Sequence, residues 1–159
     1  MRFYNSGLNQ LSEENYSRTL VGWANNIDSI SNGPFSQTVY FSGTTYNNTT
    51  YAPGSRFTNA YDARAFLVNQ LSLSVSGATD TDADGSYLFN AATGLYTNSL
   101  GWYFLKSGSD WTLYDTTDTA QATGTGADPW LVTTWTGVLA GATLLNTGMG
   151  WTIIGDTAV

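Results

Sequence analysis

Gly101-Trp-Tyr-Phe-Leu-Lys106 and Trp111-Thr-Leu-Tyr114, joined by Ser107-Gly-Ser-Asp110, decide the fold class. Two short runs of aromatic and apolar residues flanking a Gly-containing connection predict an antiparallel hairpin. The texture around them is similar. From Leu71 onward, Leu73–Ser76, Ser86–Asn90, Leu95–Thr97 and Trp130–Trp135 alternate with Gly, Asp, Asn and Ser punctuation. That spacing predicts an antiparallel meander or small sandwich. Ala120–Ala127 (AQATGTGA) reads as a low-complexity loop, and Gly150–Ile154 as an apolar strand ended by Gly155-Asp156. In the hairpin, Trp102 and Phe104 fall on one face and Tyr103 and Leu105 on the other, so both faces carry apolar groups. One face then meets a core, and the other a partner subunit or the rest of the chain.

Residues 1–71 hold the helical signals. Leu11-Ser-Glu-Glu-Asn-Tyr-Ser-Arg-Thr-Leu-Val-Gly-Trp23 offers Ser12 as N-cap and two acids in the first turn, where the helix dipole favours negative charge. Tyr16, Leu20 and Trp23 then form one apolar stripe. Asn25-Asn26 and Ser31-Asn-Gly-Pro34 are expected to break the chain, before a strand over Gln37–Phe41 and a polar loop over Gly43–Ser55. A second helix is expected from Thr58 or Asn59 to about Leu71, with Ala60, Ala63 and Leu67 inward.

Composition excludes whole classes of chemistry. Of 159 residues, 69 are Thr, Ser, Asn or Gly, while only 11% are charged, so hydroxyls and amides carry the solubility. The 23 aromatics supply the apolar area that a disordered chain lacks. Without His there is no Ser-His-Asp triad and no imidazole ligand; without Cys there is no thiolate, disulfide or zinc-cysteine site. One Lys, four Arg and a net charge of −7 argue against nucleic acid as a partner. No apolar run approaches the roughly 20 residues that span a bilayer, so membrane insertion is not expected. MRFYNSGLNQ shows no secretory-signal pattern, so no cleaved leader is expected either.

Two resemblances add to this reading. Gly7-Leu8 followed by Leu11-Ser-Glu-Glu-Asn-Tyr-Ser-Arg-Thr-Leu-Val-Gly-Trp-Ala24 resembles the C-terminal module of BspA-type leucine-rich-repeat surface proteins. There a GLS-x-x-NY-x-x-x-L-x-GW helix is followed by a strand, a Tyr-containing loop, an A-R-x-x-L helix and a final GWTI strand. The corresponding parts here are Thr38–Phe41, Tyr46 and Tyr51, Ala63–Leu67, and Gly150–Ile153. The chain departs from that pattern by placing about 80 residues between the last helix and the closing strand. The resemblance thus implies a discontinuous module, 1–71 plus 146–159, with Trp151–Ile154 returning beside Thr38–Phe41. Residues 72–145 would be an inserted antiparallel β domain. That insertion, with Val75-Ser-Gly-Ala, Asp84-Gly-Ser-Tyr87, Gly101-Trp-Tyr-Phe-Leu and Trp111-Thr-Leu-Tyr, is similar to small β domains of phage tail and fibre proteins. The expected class is a β-rich α+β protein: a two-helix, short-sheet module interrupted by a meander or sandwich.

Few residues offer chemistry. Asp80, Asp82 and Asp84, with Gly85 following, place carboxylates at alternate positions as in the first half of an EF-hand loop. The twelfth position is Ala91 instead of a bidentate Glu, so an EF-hand is rejected; a looser calcium loop and an ordinary acidic turn stay open, with the turn favoured. Glu13 and Glu14, adjacent on a helix, point about 100° apart and cannot act together as a glycosidase pair. Trp102, Tyr103, Trp111, Tyr114, Trp130 and Trp135 are candidate ligand or interface aromatics, with core filling the competing role for most of them. Lys106 at a strand end reads as an edge guard. Together these features predict no catalytic residues, no firm metal site and no cofactor. The expected protein is a phage virion structural or attachment protein, acting as a homo-oligomer or through other virion proteins, with a host-surface glycan as a further partner. A bacterial cell-surface adhesin module or a carbohydrate-binding module is the alternative.

Overall fold

A computed structural model of the chain describes residues 11–27 and 37–159. It is a β-rich α+β protein that divides into two compact units. The first runs up to Asn69 and resumes over Gly148–Val159; the second is Gln70–Thr147.

The first unit contains α1 (Glu13–Ile27), β1 (Thr38–Tyr46), α2 (Ala60–Val68) and β9 (Thr152–Ala158). Ser12 caps α1 by accepting from the Asn15 amide, and Tyr16, Leu20, Val21 and Ala24 bury one face. The helix does not break at Asn25-Asn26. The Asn25 side-chain amide spends both its groups on the Phe57 backbone, donating to the carbonyl (2.8 Å) and accepting from the N–H (3.0 Å). It therefore has no need to compete for its own helix's backbone groups. The Gly7-Leu8 pair and the break expected at Ser31–Pro34 lie outside the described residues. Asn59 caps α2 by accepting from the Asp62 amide, and the helix ends at Val68, short of Leu71.

β1 and β9 form a two-stranded parallel sheet with Thr38, Val39 and Tyr40 opposite Thr152, Ile153 and Ile154. Two expectations are corrected here. β1 runs on through Tyr46, across an irregularity between Tyr40 and Thr44 that contains Gly43 at φ 66°. β9 likewise continues through Gly155-Asp156, so that Thr157 and Ala158 pair with Thr45 and Tyr46. Val39, Phe41, Trp151 and Ile153 meet the buried faces of both helices in one core.

The second unit is a curled antiparallel seven-strand sheet: β2 (Ser72–Ser76), β3 (Gly85–Asn90), β4 (Leu95–Thr97), β5 (Tyr103–Ser107), β6 (Asp110–Tyr114), β7 (Ala120–Thr125) and β8 (Thr143–Gly148). The spatial order is β7-β6-β5-β4-β3-β2-β8, so entry and exit strands are neighbours. The β5–β6 hairpin pairs Ser107 with Asp110 around Gly108-Ser109. Only Gly108 of that turn has positive φ (63°), the type II′ pattern whose twist suits antiparallel strands. Tyr87, Phe104, Leu73 and Leu113 are wholly buried inside the curl.

Ala120–Thr125 is a strand, not a loop, and Trp130–Trp135 is not a strand. Pro129 lacks the N–H a ladder needs, and the chain forms a 3-10 turn over Pro129–Leu131 instead. It then crosses the β7 edge with a single bridge, Trp135 to Gly124, and a Thr136 N–H bond to the Thr123 carbonyl. A second 3-10 turn over Gly137–Leu139 gives its Val138 carbonyl to the Thr79 amide, at the far end of β2. This strap covers an edge that would otherwise present unpaired backbone groups.

The strap requires a glycine at 137. Its φ is 64°, and a Cβ there would sit 2.0 Å from the Gln121 carbonyl oxygen. Gly137→Ala is expected to lower stability by roughly 3 kcal/mol, left-handed strain plus overpacking against backbone. Gly141→Ala, at φ 84° but with no atom within 4 Å of the new Cβ, should cost only about 1–2 kcal/mol of strain. Urea unfolding followed by tryptophan fluorescence checks the difference; equal losses would show that the clash is relieved.

Candidate functional site

The register of β5, β6 and β7 sorts the candidate aromatics. Phe104 pairs with Leu113, and Trp111 lies on the same inward face; Tyr103 pairs with Tyr114 on the outward face. Trp102, Trp111 and Trp135 are buried, and Trp135 packs edge-on against Phe104. Half-buried Trp130 stands edge-on to Tyr96. These four serve packing. Only Tyr103 and Tyr114 come together on the outside, stacked with ring centroids 5.2 Å apart and planes 16° from parallel. The Tyr103 hydroxyl donates to Asp118 (2.9 Å), which raises its pKa by favouring the protonated form.

Along β6, Asp110, Thr112 and Tyr114 share that outward face; on β7 their partners Thr125 and Thr123 continue it. With the strap, they line an open groove of about 630 Å³ whose walls are mostly threonine. Asp110 Oδ1 accepts from Thr125 Oγ1 (2.6 Å), and the Thr123 and Thr136 hydroxyls lie 2.8 Å apart. Beside it, Asp115 accepts from Thr117, Thr119 and Gln121, bonds that hold its carboxyl below the ordinary carboxylate range. No family model, curated protein or solved structure matches the chain.

The groove escapes a reading of the residues because β7 resembles a loop. The available signal is the period of two: Thr123 and Thr125 alternate with Gly124 as Asp110 and Thr112 alternate with Trp111.

The acidic segment takes a different form. Asp80 caps the 3-10 turn Thr81–Ala83 by accepting from the Asp82 amide, and Asp84 accepts from the Gly77 and Ala78 amides. Each of these two carboxylates serves local backbone. Among the described residues, no three Asp or Glu side chains are grouped to hold a metal ion. Lys106 donates to the Ala127 carbonyl and lies over the Trp111 ring, 5.3 Å from its centroid. It covers a tryptophan as well as a strand end.

Proposed function

We propose that the chain is a non-enzymatic phage virion protein, a head-fibre, decoration or tail-fibre component that works through protein and surface contacts. The observation that carries this reading is the outer face of β5–β7: stacked tyrosines and rows of threonine are presented on a sheet whose opposite face and β7 edge are occupied. The topology adds support. β2 and β8 are adjacent, and in the first unit the Gly150 amide bonds the Asn69 carbonyl. A domain whose two ends leave together is suited to display from a scaffold. The order α1, β1, α2, closing strand is also that of the BspA-type terminal module, which we take the first unit to resemble. In the virion, the chain would contact a second copy or another structural protein, and the outer face of β5–β7 and the polar loops would be displayed outward.

Immuno-gold electron microscopy tests this directly, with antibody against the recombinant chain applied to phage particles and to uninfected cells of the source culture. Regular label on virions and none on uninfected cells is the expected result. Label on cell surfaces without phage would overturn it in favour of a bacterial adhesin.

A further inference from the structure

We propose that the groove on the outer face of β5–β7 binds a neutral oligosaccharide. The proposal concerns the second unit alone and holds wherever the protein is displayed. The groove has a volume in the range of ligand sites, about 630 Å³. Its lining chemistry is specific. Tyr114 supplies an aromatic ring fixed by stacking on Tyr103, a flat apolar platform for the C–H face of a pyranose. Around it stand hydroxyls with unused capacity: the side chains of Thr112, Thr133 and Thr134 make no hydrogen bond to any described residue. Asp110 is fixed through Oδ1 by Thr125, which leaves Oδ2 as an acceptor for sugar hydroxyls. Threonine both donates and accepts, as sugar hydroxyls do, so either partner can reorient to satisfy the other.

Charge selects the class of sugar. The lining contains a carboxylate and no cation, and the nearby cation Lys106 lies on the opposite face with its ammonium on the Ala127 carbonyl. On a chain of net charge −7, a sialylated or phosphorylated glycan would be repelled. A peptide fits less well, because the lining lacks the aliphatic pockets and open strand edge that hold one.

Saturation-transfer NMR on the full chain tests the assignment with cellotetraose, chitotetraose and mannotetraose as neutral probes and sialyllactose as the anionic one. At least one neutral probe should bind at millimolar concentration or tighter, and sialyllactose should not. Tyr114→Ala should weaken binding about tenfold or more, the scale of a lost aromatic anchor, while Tyr114→Phe retains it. Thr112→Leu, which leaves the tyrosine stack in place, should give a comparable loss. The proposal fails if no neutral probe shows transfer, if sialyllactose binds equally well, or if binding survives both Tyr114→Ala and Thr112→Leu. These outcomes leave the virion reading to its own labelling experiment.

Discussion

Asp156→Ala is expected to destabilise the first unit by about 3–5 kcal/mol, the cost of breaking a buried ion pair from one side. The Asp156 side chain is only 1% exposed and accepts three bonds: Arg64 Nε (2.6 Å) and Nη2 (2.8 Å), and the Tyr16 hydroxyl (2.9 Å). One carboxylate thereby ties β9 to both helices. Its removal strands a guanidinium that is three-quarters buried and orphans a phenol that is wholly buried. Burying an ion pair is itself costly, so the attraction largely repays desolvation. The triple change Asp156→Leu, Arg64→Met, Tyr16→Phe should therefore recover most of the loss. Urea denaturation of the single and triple variants decides it. A triple variant as unstable as Asp156→Ala would show that the network contributes more than its own desolvation cost.

The second large effect is alkaline unfolding. Burial raises the pKa of Tyr16, Tyr87 and Tyr96 well above the ordinary phenol range, with Asp156, Asp84 and Asp128 respectively adding to the shift. Below about pH 10 the folded and unfolded chains both hold these protons, and the stabilisation is complete. Above it the unfolded chain releases them while the folded chain does not, so stability falls with pH by about 1.4 kcal/mol per pH unit for each tyrosine. Tyr16 acts on the first unit, and Tyr87 and Tyr96 act on the second. A pH titration of phenolate absorbance beside near-ultraviolet circular dichroism checks this. These three rings should ionise only as tertiary structure is lost. Ordinary midpoints for all tyrosines with native dichroism would contradict it.

What could be read from the residues was what local chemistry determines. Ser12, Glu13 and the Tyr16–Leu20 stripe specify α1; Asn59 with Asp62 specifies the start of α2; and Ser107-Gly-Ser-Asp110 specifies the hairpin. What escaped depends on distant partners. Asp156 looked like the end of a strand because its role is set by Arg64, 92 residues away. Gly124 made β7 look like a loop, yet glycine is required there because Val132 and Trp135 pack where a Cβ would stand. The aromatic content of Trp130–Trp135 suggested a strand, but those tryptophans are used to cover the sheet. The candidate groove shares this dependence, since Asp110, Thr112, Thr123 and Thr125 meet only once β6 and β7 are in register.

The parallel pairing of β1 with β9 has a mechanical consequence. Tension applied to the amino end of β1 and the carboxyl end of β9 acts at opposite ends of one ladder, which runs from the Thr152 amide on the Gln37 carbonyl to the Val159 amide on the Tyr46 carbonyl. Its hydrogen bonds are loaded together in shear and cannot open one at a time. The second unit lies between those strands along the covalent chain, but the ladder and the contact of Gly150 with Asn69 form a shorter load path around it. Pulling must rupture the two-stranded sheet before any force reaches the seven-stranded one, so the inserted sheet stays slack while its scaffold bears the strain.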